Sequence, residues 1–125
     1  ASHSELKITE DGDIRVIEIG ARMGGDFIGS TLVKLSTGYD FLEGVINVAM
    51  GKFYEPYITV DNYSGVYFLC KETEHLKSII EHKEDYNQIV EAEITDNVLR
   101  NIECSGDRSG YLIYRSNQKF IIINN

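Results

Sequence analysis

The chain is short of several things. Its 125 residues hold one proline, Pro56, two cysteines, Cys70 and Cys104, and no excess of basic charge. A single proline beside eleven glycines predicts regular elements joined by tight turns. The cysteines stand far apart without C-x-x-C spacing. They read as two free thiols rather than a disulfide or a metal site, which fits a reducing, cytoplasmic compartment. The net charge of −8 argues against nucleic acid as a general partner, because phosphate backbones need a basic face. No apolar run is long enough to cross a membrane, and no secretory leader is expected. Neither G-x-x-x-x-G-K-[ST] nor G-x-G-x-x-G occurs, which removes the P-loop and the dinucleotide fold.

What is present suits one ordinary folded unit. Apolar residues make up 42%, so disorder is not the expectation, and the length matches a single hydrophobic core. The opening Ala1-Ser2-His3-Ser4 lacks an initiator methionine and enters strand-like sequence at once. It reads as a cut inside a longer protein or an expression boundary.

The alternation in Glu5–Thr9 and Ile14–Ile19, with Glu10-Asp11-Gly12-Asp13 between them, predicts a β-hairpin. The glycine-rich run Gly20–Gly25 follows. A first helix is expected from Asp26, as N-cap, to about Ser36, closed by Gly38. Asp40 and Glu43 open a second helix in the manner of a capping box; Leu42, Val45, Ile46 and Ala49 recur at helical spacing, and Gly51 ends it. Beyond Pro56, Gly65–Cys70, Asn87–Ile94 and Val98–Cys104 read as strands, Thr73–His82 as a short helix, and Tyr111–Tyr114 with Phe120–Ile123 as a last hairpin. The predicted class is α+β: hairpin, two helices, then a mostly antiparallel β segment.

The hairpin carries the most chemistry. A two-residue loop at Asp11-Gly12, or a four-residue loop over 10–13, sets Ile8 opposite Arg15, Lys7 opposite Val16, Leu6 opposite Ile17 and Glu5 opposite Glu18. Leu6, Ile8, Ile17 and Ile19, with Arg15 near the turn, form the expected core face, and the two glutamates share the other face. Directly opposed residues have Cβ atoms about 4.5–5.5 Å apart, and like charges there are destabilising. A shared proton, a nearby Lys or Arg, or a bridging divalent cation such as Mg²⁺ would relieve the pair; simple solvation of both carboxylates is the bland alternative. Glu18 is followed four residues on by Arg22, through Gly20, and then by Gly24 and Gly25. A carboxylate for metal, a guanidinium fork for phosphate and glycines for close backbone approach suit a polyphosphate, although such a loop alone is more often plain connection.

Here the sequence resembles a known family. The run His3-Ser4-Glu5-Leu6-Lys7, the turn Asp11-Gly12, the stretch Val16–Gly25 (VIEIGARMGG) and Ser36–Asp40 (STGYD) resemble the end of an ATP-grasp domain. The likeness is closest to the branch that joins a carboxylate to an amine, and it spans residues 2 to about 52. Ser105–Tyr111 (SGDRSGY) resembles a turn in the C-terminal lobe of that family. The resemblance implies residues 1–52 as the C-terminal part of the catalytic domain and residues 53–125 as an antiparallel β subdomain with one short helix. It implies ATP and Mg²⁺ as cofactors, with Glu5 and Glu18 holding the metal against the phosphates. Arg22 would contact the transferred phosphate or the acyl-phosphate intermediate. Many members place an Asn two residues after the second Glu; here that position is Gly20. The expected function is a piece of an ATP-dependent carboxylate–amine ligase, inactive by itself because the nucleotide clamp and phosphate-binding lysines lie in the missing N-terminal part. The alternative is a non-catalytic ligand- or partner-binding domain of the same ancestry, and a third is an unrelated structural module. His3, Lys7, Asp26, Asp40, Arg108, His75 and His82 read as ordinary polar, capping or solvated residues. Tyr54, Tyr57, Tyr63 and Tyr67 read as core and interface.

Overall fold

The computed structural model of the protein describes residues 1–122. The chain is α+β with two antiparallel sheets. Strands β1 (His3–Ile8) and β2 (Ile14–Gly20) pair as a ribbon. Then come a π-helical turn over Ile28–Leu32, helix α1 (Val33–Thr37) and helix α2 (Phe41–Ala49). An extended segment leads to β3 (Tyr63–Leu69), α3 (Leu76–Glu81), β4 (Ile89–Ile94) and β5 (Gly110–Ser116). The second sheet has the order β3-β5-β4, so the last strand lies in the middle.

That central placement explains the core. Leu112 of β5 faces Tyr67 of β3 and Ala92 of β4. On this face Leu69, Leu76, Ile80, Ala92 and Leu112 pack together, with α3 supplying Leu76 and Ile80. The opposite face carries Ile113, Phe68 and Tyr111 and receives the N-terminal half: Ser64 Oγ donates to the Leu32 carbonyl at 2.9 Å, and Asn62 Nδ2 donates to Leu35 at 3.2 Å. Among the described residues, Gly29 is the only fully buried residue before Leu69.

Several expectations need correction. The first helix does not start at Asp26, because Asp26 and Phe27 both hold positive φ, 50° and 66°. Helical turns begin at Ile28, and Gly38, with φ 79°, closes α1 as expected. Asp40 does cap α2, accepting from the Glu43 amide at 3.0 Å. Val98–Cys104 forms no strand. Its amides are taken by side chains instead: Val98 donates to Asp96 Oδ1 at 2.9 Å, and Glu103 and Cys104 donate to Asp107 Oδ2 at 2.9 and 2.8 Å. Among the described residues Phe120, Ile121 and Ile122 form no strand beside β5, which is already flanked on both sides. Phe120 instead packs its ring 5.0 Å from that of Tyr114, and Ile123 lies outside the described residues.

Candidate functional site

The ribbon brings Glu5 and Glu18 directly opposite each other, by a route the sequence does not reveal. The turn has three loop residues, Glu10, Asp11 and Gly12. Thr9 N donates to Asp13 O at 2.9 Å and Gly12 N to Thr9 O at 3.0 Å. Gly12 takes φ 86°, which suits a glycine that ends a three-residue hairpin loop. The register near the turn is therefore one residue away from the expected one: Ile8 faces Ile14, Lys7 faces Arg15 and Leu6 faces Val16. A bulge between Glu5 and Leu6 then leaves Ile17 as the extra residue of β2 and restores the Glu5–Glu18 pairing. The expected Leu6–Ile17 and Ile8–Arg15 pairs are replaced, and Arg15 joins Lys7 on the carboxylate side.

The expected core face of the ribbon is also uncovered. Leu6, Ile8, Ile17 and Ile19 are all exposed, as are Ile14 and Val16, which the observed register adds to that face. The ribbon thus displays an unburied apolar face and, behind it, a carboxylate face flanked by two cationic side chains.

Arg22 folds back over the turn that leaves β2. Its Nη1 donates to Met23 O at 3.0 Å, and its Nη2 lies 3.4 Å from Glu18 Oε1. That ion pair is long and solvent-exposed, so a phosphate oxygen can replace the carboxylate at little cost. Gly20 lies beneath both side chains: a Cβ there would meet Glu18 Oε1 and Arg22 Cγ at 3.5 Å, ordinary contact distance. His3 pairs across the ribbon with Gly20 and packs against Gly24. Its Nδ1 is buried without a hydrogen-bond partner. His3 is thus an element of the site floor rather than a loose terminal residue.

The donor set suits Mg²⁺ only in part. Two carboxylates on one face can hold the ion if phosphate oxygens and water complete its octahedron, which is the usual arrangement for this metal. Among the described residues no group of three or more His, Cys, Asp or Glu side chains converges to hold a metal by itself.

Downstream of the glycines the loop is tied to the far sheet. Arg108 donates to both oxygens of Asp26, Nη1 at 2.5 Å and Nη2 at 3.2 Å. Its guanidinium carbon sits 3.7 Å from the Phe68 ring centroid. Hydrogen bonding from Arg108 holds the Asp26 carboxyl below the usual carboxylate range, against a smaller desolvation effect. Asp26 is therefore an ion-pair partner, not a helix cap, and Arg108 is not a free turn residue. The Phe27 ring stacks 4.7 Å from Tyr111. Tyr111 in turn donates its hydroxyl to Glu91 at 2.5 Å, which, with some burial, pushes its pKa up to about 12. The sequence marked Tyr111 only as the end of the Ser105–Tyr111 run and the start of a strand, and gave no sign that Phe27, Tyr111 and Glu91 meet, since they come from chain segments far apart.

Lys7 is an exposed lysine opposite Arg15, and His82 closes α3 by a 2.8 Å contact from Nδ1 to Ser78 O. Tyr67 is half-buried against the core, whereas Tyr54, Tyr57 and Tyr63 are exposed. No protein-family model and no curated protein matches this chain.

Proposed function

We propose that this chain is the C-terminal portion of an ATP- and Mg²⁺-dependent ligase of the ATP-grasp kind, which joins a carboxylate to an amine through an acyl phosphate. One observation carries the reading: Glu5 stands opposite Glu18, with Arg22 folded onto Glu18 at the mouth of a glycine-rich loop. Opposed carboxylates on a ribbon repel each other unless a cation relieves them, and their position at the edge of a phosphate-suited loop favours a shared ion beside the Lys7, Arg15 and Arg22 side chains.

In this reading Glu5 and Glu18 would hold Mg²⁺, which would supply charge neutralisation on the nucleotide phosphates. Arg22 is the catalytic residue. Its planar, permanently charged fork donates to the phosphoryl oxygens as charge shifts during transfer. The exposed apolar face of the ribbon supports the same reading, because a ribbon of this length is marginal unless that face is covered by further protein. The cytoplasmic setting belongs to the proposal too. Among the described residues no helix is long and apolar enough to cross a membrane. A second reading, a non-catalytic domain of the same ancestry, draws on Gly20, which supplies no third metal ligand where the resembled family often has an Asn.

The test uses a paramagnetic ion, because it registers weak occupancy. Mn²⁺ with ATP, titrated into the isotopically labelled chain, is expected to broaden the amides of Glu5, Glu18 and Arg22 first. Glu18→Gln should abolish this, while Mn²⁺ without nucleotide should broaden them far less. Broadening that ignores Glu18→Gln, or that centres on Glu91 and Glu93, would end the ligase reading. If Mg²⁺·ATP occupies the site and yet the longer protein turns over no carboxylate with any amine, the non-catalytic reading replaces it.

A further inference from the structure

The loop that presents Arg22 does not hold itself in place. Between Arg22 and Asp26 lie Met23, Gly24 and Gly25, and glycines leave the backbone broad freedom. The loop ends in a tight turn, Gly25 to Ile28, closed by Ile28 N donating to Gly25 O at 2.9 Å. Its two central residues, Asp26 and Phe27, have φ 50° and 66°. A turn with positive φ at both centres favours Asp-Gly or Asn-Gly. Asp26 fits the first place, but Phe27 occupies the place that glycine prefers, so the turn persists only because its surroundings over-determine it.

Those surroundings are two contacts with the C-terminal half of the chain, one at each central residue. Arg108 grips both carboxylate oxygens of Asp26 while stacking on Phe68, and its side chain is only 24% exposed. Phe27 lies against Tyr111, and the Tyr111 hydroxyl is fixed by Glu91 at 2.5 Å and Glu93 at 3.3 Å. Bidentate pairing by a guanidinium already stacked on an aromatic ring is strong and directional, and lysine cannot reproduce it.

We propose that Arg108 is a positioning residue for the candidate site: it clamps the Asp26-Phe27 turn onto the C-terminal sheet and so fixes the loop that holds Arg22 beside Glu18. The bearing of this clamp on phosphate chemistry rests on the function proposed above; the clamp itself does not.

Amide hydrogen exchange across the full chain tests it, in Arg108→Met, Arg108→Lys and Asp26→Asn. Amides of residues 21–27 should exchange about tenfold faster in Arg108→Met, with those of β3, β4 and β5 unchanged within about twofold. Lysine should restore only part of the protection. Asp26 is half exposed, so Asp26→Asn leaves the sheet intact and gives the same loop readout even if Arg108→Met folds poorly. The Mn²⁺·ATP broadening at Arg22 should weaken in the same variants. An unchanged loop overturns the clamp, as does acceleration shared equally by loop and sheet, since Arg108 would then serve its own sheet alone. A wild-type chain without any Mn²⁺·ATP broadening overturns the link to phosphate, while the exchange result still decides the clamp.

Discussion

The ribbon β1–β2 and the sheet β3-β5-β4 are both antiparallel and both written as alternating strands, yet they do opposite work. In the sheet, Leu69, Leu112 and Ile113 are fully excluded from water, and α3 covers one face. In the ribbon every apolar side chain of the expected core face stands in solvent, and the other face sets two like charges side by side. Alternation therefore says that a strand has two faces; it does not say that either is covered. Burial is decided by what packs across, and the residues that carry the candidate chemistry sit where the chain buries least.

Core deletions should separate the two regions most sharply. Leu112→Ala removes a side chain with no exposed surface, between β3 and β4 and beneath α3, and should cost about 2–5 kcal/mol in urea unfolding. Ile8→Ala, at a side chain 71% exposed, should stay within about 0.5 kcal/mol. Comparable losses at the two sites would mean that the ribbon is covered in solution, for instance by a second molecule. A smaller effect is expected at Ser109, which is fully buried and donates to Val98 O at 2.7 Å. Ser109→Ala removes that hydrogen bond and should cost about 0.5–1.5 kcal/mol, the net worth of an ordinary one, since Val98 itself lies exposed.

How far the sequence spoke depends on how local each signal was. Asp40 and Glu43 lie three residues apart, and the Asp40 half of the expected capping box formed, its carboxylate accepting from the Glu43 amide. The hairpin was legible from Asp11-Gly12, but its loop length was not, because a glycine at positive φ serves two-residue and three-residue loops alike. The Glu5–Glu18 pairing was reached through two departures that cancel: a loop of odd length and a bulge at Ile17, neither with a residue signature. Asp26 looked like a cap because its partner, Arg108, stands 82 residues away. Val98–Cys104 read as a strand, yet the carboxylates of Asp96 and Asp107 took the amides of Val98, Glu103 and Cys104 that a ladder would need.

The carboxylate pair offers a finer test of the ribbon. Without divalent cation, Glu5→Gln should raise the urea midpoint slightly, because it removes a directly opposed like charge worth about 0.2–1 kcal/mol. With Mn²⁺·ATP present the order should reverse, since the variant loses a ligand. Gly20→Asn sharpens the point. A side chain there reaches Glu18 Oε1 at contact distance, so it should tighten Mn²⁺·ATP about threefold or more by adding an oxygen donor. No gain in affinity would place the ion away from Glu18.

The smallest expected effect extends the comparison to helices. Helix α3 buries Leu76 and Ile80, whereas α2 buries no residue and depends more on its ends. At its start Asp40 accepts from Lys34 Nζ at 2.8 Å and from the Glu43 amide at 3.0 Å. Lys34 first, and then the amide, hold its carboxyl below the ordinary value of 3.8. A carboxyl with a lowered folded pKa contributes stability that is complete above its unfolded value and is lost as pH falls through the folded one. Asp40→Asn keeps an acceptor for the amide but removes the charge that pairs with Lys34 and favours the helix N-terminus. The advantage of wild type over Asp40→Asn in helical signal should hold at neutral pH and fade below about pH 4. Lys34, raised by the same contact, loses its share only as pH climbs past its ordinary value of 10.5. If the gap stayed constant down to about pH 2, the charge on Asp40 would contribute nothing, and α2 would have to be held by contacts of the same kind that hold α3.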